Sequence, residues 1–149
     1  MTIAVEVASD VGRLPVALGR LEALAAGVLR AEGVKHAMLS VAFVSRRTIA
    51  SLNRRHLKRR GATDVIAFGF APAGKRGPVV GDVYVAVDVA RAQARTFEVP
   101  VGEELMRLVV HGTLHVLGHD HPEGAGRSAS AMWRRQEALL ERLTRSRAR

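Results

Sequence analysis

Thr2–Val7 opens the chain as a strand. Apolar residues then recur at Leu14, Leu18, Leu21, Leu24, Ala25, Val28 and Leu29, a helical spacing over Leu14–Glu32 that Gly33 closes. Met38–Val44 alternates weakly and is β-branched enough for a second strand. Arg46–Leu57 keeps Ile49 and Leu52 on one side of a short helix. Asp64–Phe70 and Val79–Val87 read as two further strands, separated by a turn rich in glycine and proline at 71–78. Asp88 suits the cap of a helix running to about Phe97, with Ala90, Ala94 and Phe97 inward. Pro100 breaks the chain, and Glu103 and Glu104 mark a new helix start. That helix carries Leu105, Leu108, Val109, Gly112 and Val116, and Gly118 ends it in a left-handed turn. A last helix spans Ser128–Leu143, turning Met132, Gln136, Leu139, Leu140 and Leu143 to the core. The order βαβαββααα lacks regular strand–helix alternation, which predicts an α+β fold in one domain over residues 1–149.

Composition narrows the chemistry. A chain of 149 residues, 48% hydrophobic and 25% charged, suits one folded domain rather than disorder or a coiled coil. It has no cysteine, which excludes disulfides, thiol nucleophiles and thiolate metal sites, so any metal must be held by His, Asp or Glu. The longest apolar stretch, Val65–Ala73, is far short of the ~20 residues that cross a bilayer. Nothing at the N-terminus reads as a secretory signal, so a cytoplasmic protein without membrane contact is expected. A net charge of +9 points to an anionic partner.

Four of the six histidines fall between positions 111 and 121. His111 and His115 lie four apart on the helix, so their rings share one face. Gly118 lets the backbone double back and bring His121 to the pair. Three neutral imidazoles suit one catalytic Zn²⁺ with water in the fourth position. The spacing matches the long zincin pattern H-E-x-x-H-x-x-G-x-x-H except that Gly112 stands where those proteases carry their general base. His119 is an alternative third ligand or a turn residue. Asp120 is placed to orient a ligand ring, or to make a local turn bond. His36 and His56 read as ordinary residues.

Residues 111–121 resemble the hallmark H-G-x-L-H-x-x-G-Y-D-H of the YbeY family of bacterial endoribonucleases, with His119 in place of the tyrosine. Leu52-Asn53 with Thr63-Asp64-Val65-Ile66-Ala67-Phe68 resembles that family's L-N…T-D-V-L-S-F. Gly81-Asp82-Val83-Tyr84-Val85 resembles its G-D-I segment, and Met132 to Leu140 its closing helix. The resemblance implies a metalloprotease-like α+β fold with a central mixed four-stranded sheet. It also implies a zinc-dependent, single-strand-specific RNA hydrolase acting in 16S rRNA maturation and ribosome quality control, with rRNA of the small subunit as partner. By position, His111, His115 and His121 are the implied ligands. Leu57 stands where the family usually has a catalytic arginine, and Ala67 where serine is usual.

Between Gly33 and Thr63 lie Lys35, Arg46, Arg47, Arg54, Arg55, Lys58, Arg59 and Arg60, without one acid. Such a block neutralises phosphates, and Arg54, Arg55, Lys58, Arg59 and Arg60 are the candidate RNA contacts. Lys58, or its neighbours Arg59 and Arg60, is a candidate replacement for the cation missing at Leu57. Asp82 and Asp120 are candidate proton acceptors, with the metal itself and internal attack by the RNA 2′-hydroxyl as alternatives. The arginines at 142, 145, 147 and 149 read as a frayed tail, and Phe68, Phe70, Tyr84 and Trp133 as core rather than stacking residues. Gly69–Arg76 resembles a P-loop but lacks its final hydroxyl. Two rival readings remain: a metalloprotease-like peptide hydrolase, and a non-catalytic RNA-binding assembly factor with a stabilising zinc.

Overall fold

A computed structural model describes residues 1–57, 61–70, 77–119 and 130–145. Strands β1 (Thr2–Ser9), β2 (His36–Val44), β3 (Val65–Phe70) and β4 (Val79–Ala86) form one mixed sheet in the order β1-β2-β4-β3. The first two pairings are parallel, and β3 runs antiparallel to β4 at the edge. The helices are α1 (Leu18–Ala31), α2 (Arg46–His56), α3 (Val87–Phe97), α4 (Val101–Val116) and α5 (Ala131–Arg145). The α+β fold expected from the sequence is the fold observed.

Strand alternation sorts the sheet into two faces. Leu39, Val41, Phe43, Val83 and Val85 turn to one side, where they share a core with Leu21, Ala25 and Leu29 of α1, Leu105 and Leu114 of α4, and Leu139 of α5. Val44, Ile66 and Ala86 turn to the other side and pack on Ile49 of α2. Helix α4 approaches the sheet unusually closely. A Cβ on Gly112 would lie 2.5 Å from Val83 Cγ1, and one on Gly69 would lie 2.7 Å from the Val116 carbonyl oxygen. Glycine at these points is what lets helix and strands touch.

Several boundaries differ from the sequence reading. Helix α1 begins at Leu18, not Leu14, with Ala17 extended as its N-cap, and Pro15 disfavours helical backbone at Leu14. Helix α3 begins one residue before Asp88, with Ala86 as its N-cap, so Asp88 sits in the first turn instead of capping it. Phe97, the last residue of α3, is 66% exposed and does not join Ala90 and Ala94 on the buried face as its spacing predicted. Phe70 is 61% exposed on the terminal residue of an edge strand, where no helix covers it, so it is not core. Arg142 and Arg145 belong to α5 rather than to a tail, and Arg145 pairs with Glu141 one turn earlier. Ser128, Arg147, Arg149 and most of the P-loop-like segment lie outside the described residues. Among the described residues no helix is long and apolar enough to cross a membrane.

Candidate metal centre

The centre is built on the last turns of α4. Glu103 and Glu104 occupy its first turn, where the helix dipole favours acids. Its end is a Schellman motif: Gly118 has φ +96°, His119 N–H donates to Leu114 O at 3.0 Å, and Gly118 N–H donates to His115 O at 3.0 Å. The chain therefore turns sharply straight after His115, as the glycine spacing required.

His111 and His115 project from one face with ring centroids 4.7 Å apart and planes at 70°. Two nitrogens each ~2.0–2.1 Å from one tetrahedral zinc lie about 3.3 Å apart, a span that rings at this separation reach. His111 is buried and His115 half-buried. His111 Nδ1 lies 2.6 Å from Oε1 of Gln136, a fully buried residue of α5. That arrangement leaves Nε2 as the ligating nitrogen, the usual pattern around a metal-bound imidazole. The donors present thus fit zinc. His121 and Asp120 lie outside the described residues, and among the described residues no three potential ligands come together.

His119 reaches across from the turn to α1. Its Nε2 lies 2.5 Å from Oε1 of Glu32, and Arg135 donates to the other carboxylate oxygen at 2.9 Å. Glu32, at the end of α1, thereby ties the turn after α4 to α5. Burial alone would raise the Glu32 pKa, but the Arg135 and His119 hydrogen bonds outweigh it and hold the carboxyl below its ordinary value. A depressed carboxylate contributes stability above its unfolded pKa and loses it as pH falls through the folded value. Glu32→Gln should therefore cost stability at about pH 7 and far less at about pH 3, read from urea midpoints at both. Equal losses at the two pH values would contradict the clamp. Beside it, a cleft of about 800 Å³ is lined by Glu32, Lys35, His36, Val79, Leu117 and His119.

The other sequence candidates divide. Asp82 is not brought to the histidines. Its neighbours Gly81 and Val83 face α4, so alternation turns Asp82 to the opposite side of the sheet, where Ser40 Oγ donates to it at 2.6 Å. Arg54 and Arg55 are exposed on α2, also on that far side. Lys58, Arg59 and Arg60 lie outside the described residues. Asn53, buried in α2, donates its amide to Gly61 O at 3.1 Å, and Val65 just beyond packs against Gly112. His56 makes an edge contact with Phe68 at 5.5 Å.

Sequence reasoning missed Glu32 and Arg107, and it took Asn53 only as part of a motif and Gln136 only as an inward-facing residue. Gln136 was visible as a polar residue in an inward-facing row, which was the available signal. Arg107 binds Glu104, Glu103 and Glu137 together. Burial pushes the Glu104 carboxyl up, more than Arg107 pulls it down.

Residues 13–144 match the family model described as Endoribonuclease YbeY. A relative of that name from an Anaeromyxobacter species is 38% identical over 93% of this chain and 70% of its own length. Another from Syntrophotalea carbinolica is 34% identical over 86% of this chain and 87% of its own. One from Anaeromyxobacter dehalogenans is 41% identical, and this chain spans 62% of its length. The solution structure of a Thermotoga maritima protein covers 97% of this chain, and 92% of that protein is covered in turn, with a TM-score of 0.62 at 24% identity. That likeness extends the agreement to the fold. The match runs from before α1 into the last turn of α5 and takes in both histidines of α4: the chain belongs to the endoribonuclease YbeY family.

Proposed function

We propose that this protein is a zinc-dependent, single-strand-specific endoribonuclease acting in 16S rRNA maturation and ribosome quality control. His111, His115 and His121 hold one Zn²⁺ in this reading. The observation that carries it is the pair of histidine rings 4.7 Å apart on α4, in a chain whose named relatives are endoribonucleases. When bound, zinc supplies a Lewis acid for a phosphoryl oxygen and acidifies water.

The chain's own residues supply the rest. Lys35 lines the cleft beside the turn after α4, a cation that supports RNA entering on this side. Asn53 donates to Gly61 O, and Val65 touches the histidine helix at Gly112. We assign Lys58 to charge developing on the phosphate, with Arg59 and Arg60 as the alternatives. Arg54 and Arg55, on the far sheet face, hold flanking RNA that passes round the β3 edge. Asp120 is the carboxylate proposed to take the proton from attacking water, since Asp82 faces away. A peptide substrate gains little from this basic surroundings, and position 112 offers no base.

The test compares zinc-loaded protein on single-stranded RNA and on casein. Cleavage of RNA alone is expected, lost on chelation, regained with zinc, and leaving monoester ends rather than a cyclic phosphate. A cyclic phosphate would replace water attack by 2′-hydroxyl attack. Casein cleavage with RNA untouched, abolished in His115→Ala, would overturn the assignment in favour of a protease. Tight RNA binding without turnover would favour the assembly-factor reading.

A further inference from the structure

An amide side chain has one donating end and one accepting end, and in Gln136 the environment decides which end faces the metal ligand. Nε2 of Gln136 donates to Oε2 of Glu137 at 2.9 Å, while Oε1 lies 2.6 Å from His111 Nδ1. Rotating the amide by half a turn would set its carbonyl oxygen against a carboxylate oxygen with no proton between them. Glu137 is held as that carboxylate by Arg107, whose Nε reaches Oε2 at 2.9 Å and whose terminal nitrogen reaches Oε1 at 3.1 Å. This bidentate pairing fixes the geometry as well as the charge. With its oxygen turned inward, Gln136 only accepts, so His111 Nδ1 must carry the proton and Nε2 the lone pair.

We propose that Arg107, Glu137 and Gln136 form a relay that sets the tautomer of His111, committing it to ligate through Nε2. Gln136 is then a positioning residue. The inference rests on the zinc reading above and deepens it. A neutral imidazole in water favours the opposite form, with the proton on Nε2. Without the relay, His111 must first move a proton before it can bind. Residues that hydrogen-bond a ligating imidazole are worth about 10–100-fold in metal affinity.

The test uses the full chain stripped of metal. Ring-nitrogen NMR reads the His111 tautomer, and zinc titration against a competing chelator reads affinity. In the unsubstituted protein His111 is expected as the Nδ1–H form. Gln136→Leu removes the acceptor and should shift the ring toward Nε2–H, weakening zinc by about 10–100-fold. Gln136→Glu combined with Glu137→Gln restores an obligate acceptor beside an amide that can donate to it, and should recover the Nδ1–H form and most of the affinity. A tautomer and an affinity both unchanged in Gln136→Leu would overturn the relay alone, whereas an unsubstituted chain that holds no zinc would overturn the zinc reading. Should Gln136→Leu fail to fold, Glu137→Gln decides, because it frees the amide to turn while leaving it in place. Mixed protonation of His111 is expected there, and a single Nδ1–H form would overturn the relay.

Discussion

Gly112→Glu, which would complete the zincin pattern at residues 111–115, is expected to unfold the protein without creating a peptidase. Residue 112 is one step round the helix from His111, about 100° away, and that step points it into the sheet. A Cβ there already falls 2.5 Å from Val83 Cγ1 and 3.3 Å from Val65 Cγ2. Valine is stiff at χ1, so Val83 cannot swing clear, and overpacking of this kind costs about 1–3 kcal/mol. The carboxylate would add several kcal/mol more, being buried among apolar residues without a partner. Against a total stability of about 5–15 kcal/mol, the sum removes most or all of the folded state. Gly112→Ala isolates the steric part and should lower the urea midpoint while leaving a folded protein. A well-folded Gly112→Glu variant with native melting would show that α4 can lift off the sheet, against the packing described.

His115→Ala is expected to bring the largest loss of activity for the least structural damage. The ring is half-buried and sits in the last full turn of α4, so truncation should cost only about 1–2 kcal/mol. On the proposed zinc reading, losing one of three ligands would remove the ion and the several kcal/mol it would supply to the transition state, on the order of 10³-fold in rate. His111→Ala should match that loss but also destabilise the fold, because it strands the buried Gln136 oxygen that now faces Nδ1. RNA cleavage rates and melting temperatures of both variants separate the two effects. Cleavage within about tenfold of the unsubstituted protein in His115→Ala would remove the metal from the mechanism.

What the sequence made legible was periodic or spaced. The 3.6-residue rows of α1, α4 and α5 and the His-x3-His step each follow from helix geometry, and Gly118 declared its left-handed turn because few other residues adopt one. What stayed hidden depends on elements distant in sequence. Gln136 lies 25 residues from His111, and Glu32 lies 87 from His119. No local pattern joins them. Asp82 misled because adjacency to a motif-like glycine says nothing about which face a strand residue takes until the register is known. Phe70 misled in the same way: its hydrophobicity is plain, but its exposure at the end of an edge strand is set by what the helices leave uncovered.

The dependence of α4 on α5 also orders events during synthesis. A polypeptide leaves its ribosome N-terminus first, and α4 ends at Val116 while α5 begins only at Ala131. Both histidines of α4 are thus translated before the amide that orients one of them, and before Arg135 ties down Glu32 and the turn. A nascent chain halted between these helices carries the histidines without the hydrogen bonds that hold them. The orientation of His111 is in that sense a property of the finished α5, set only once that helix has been made and packed.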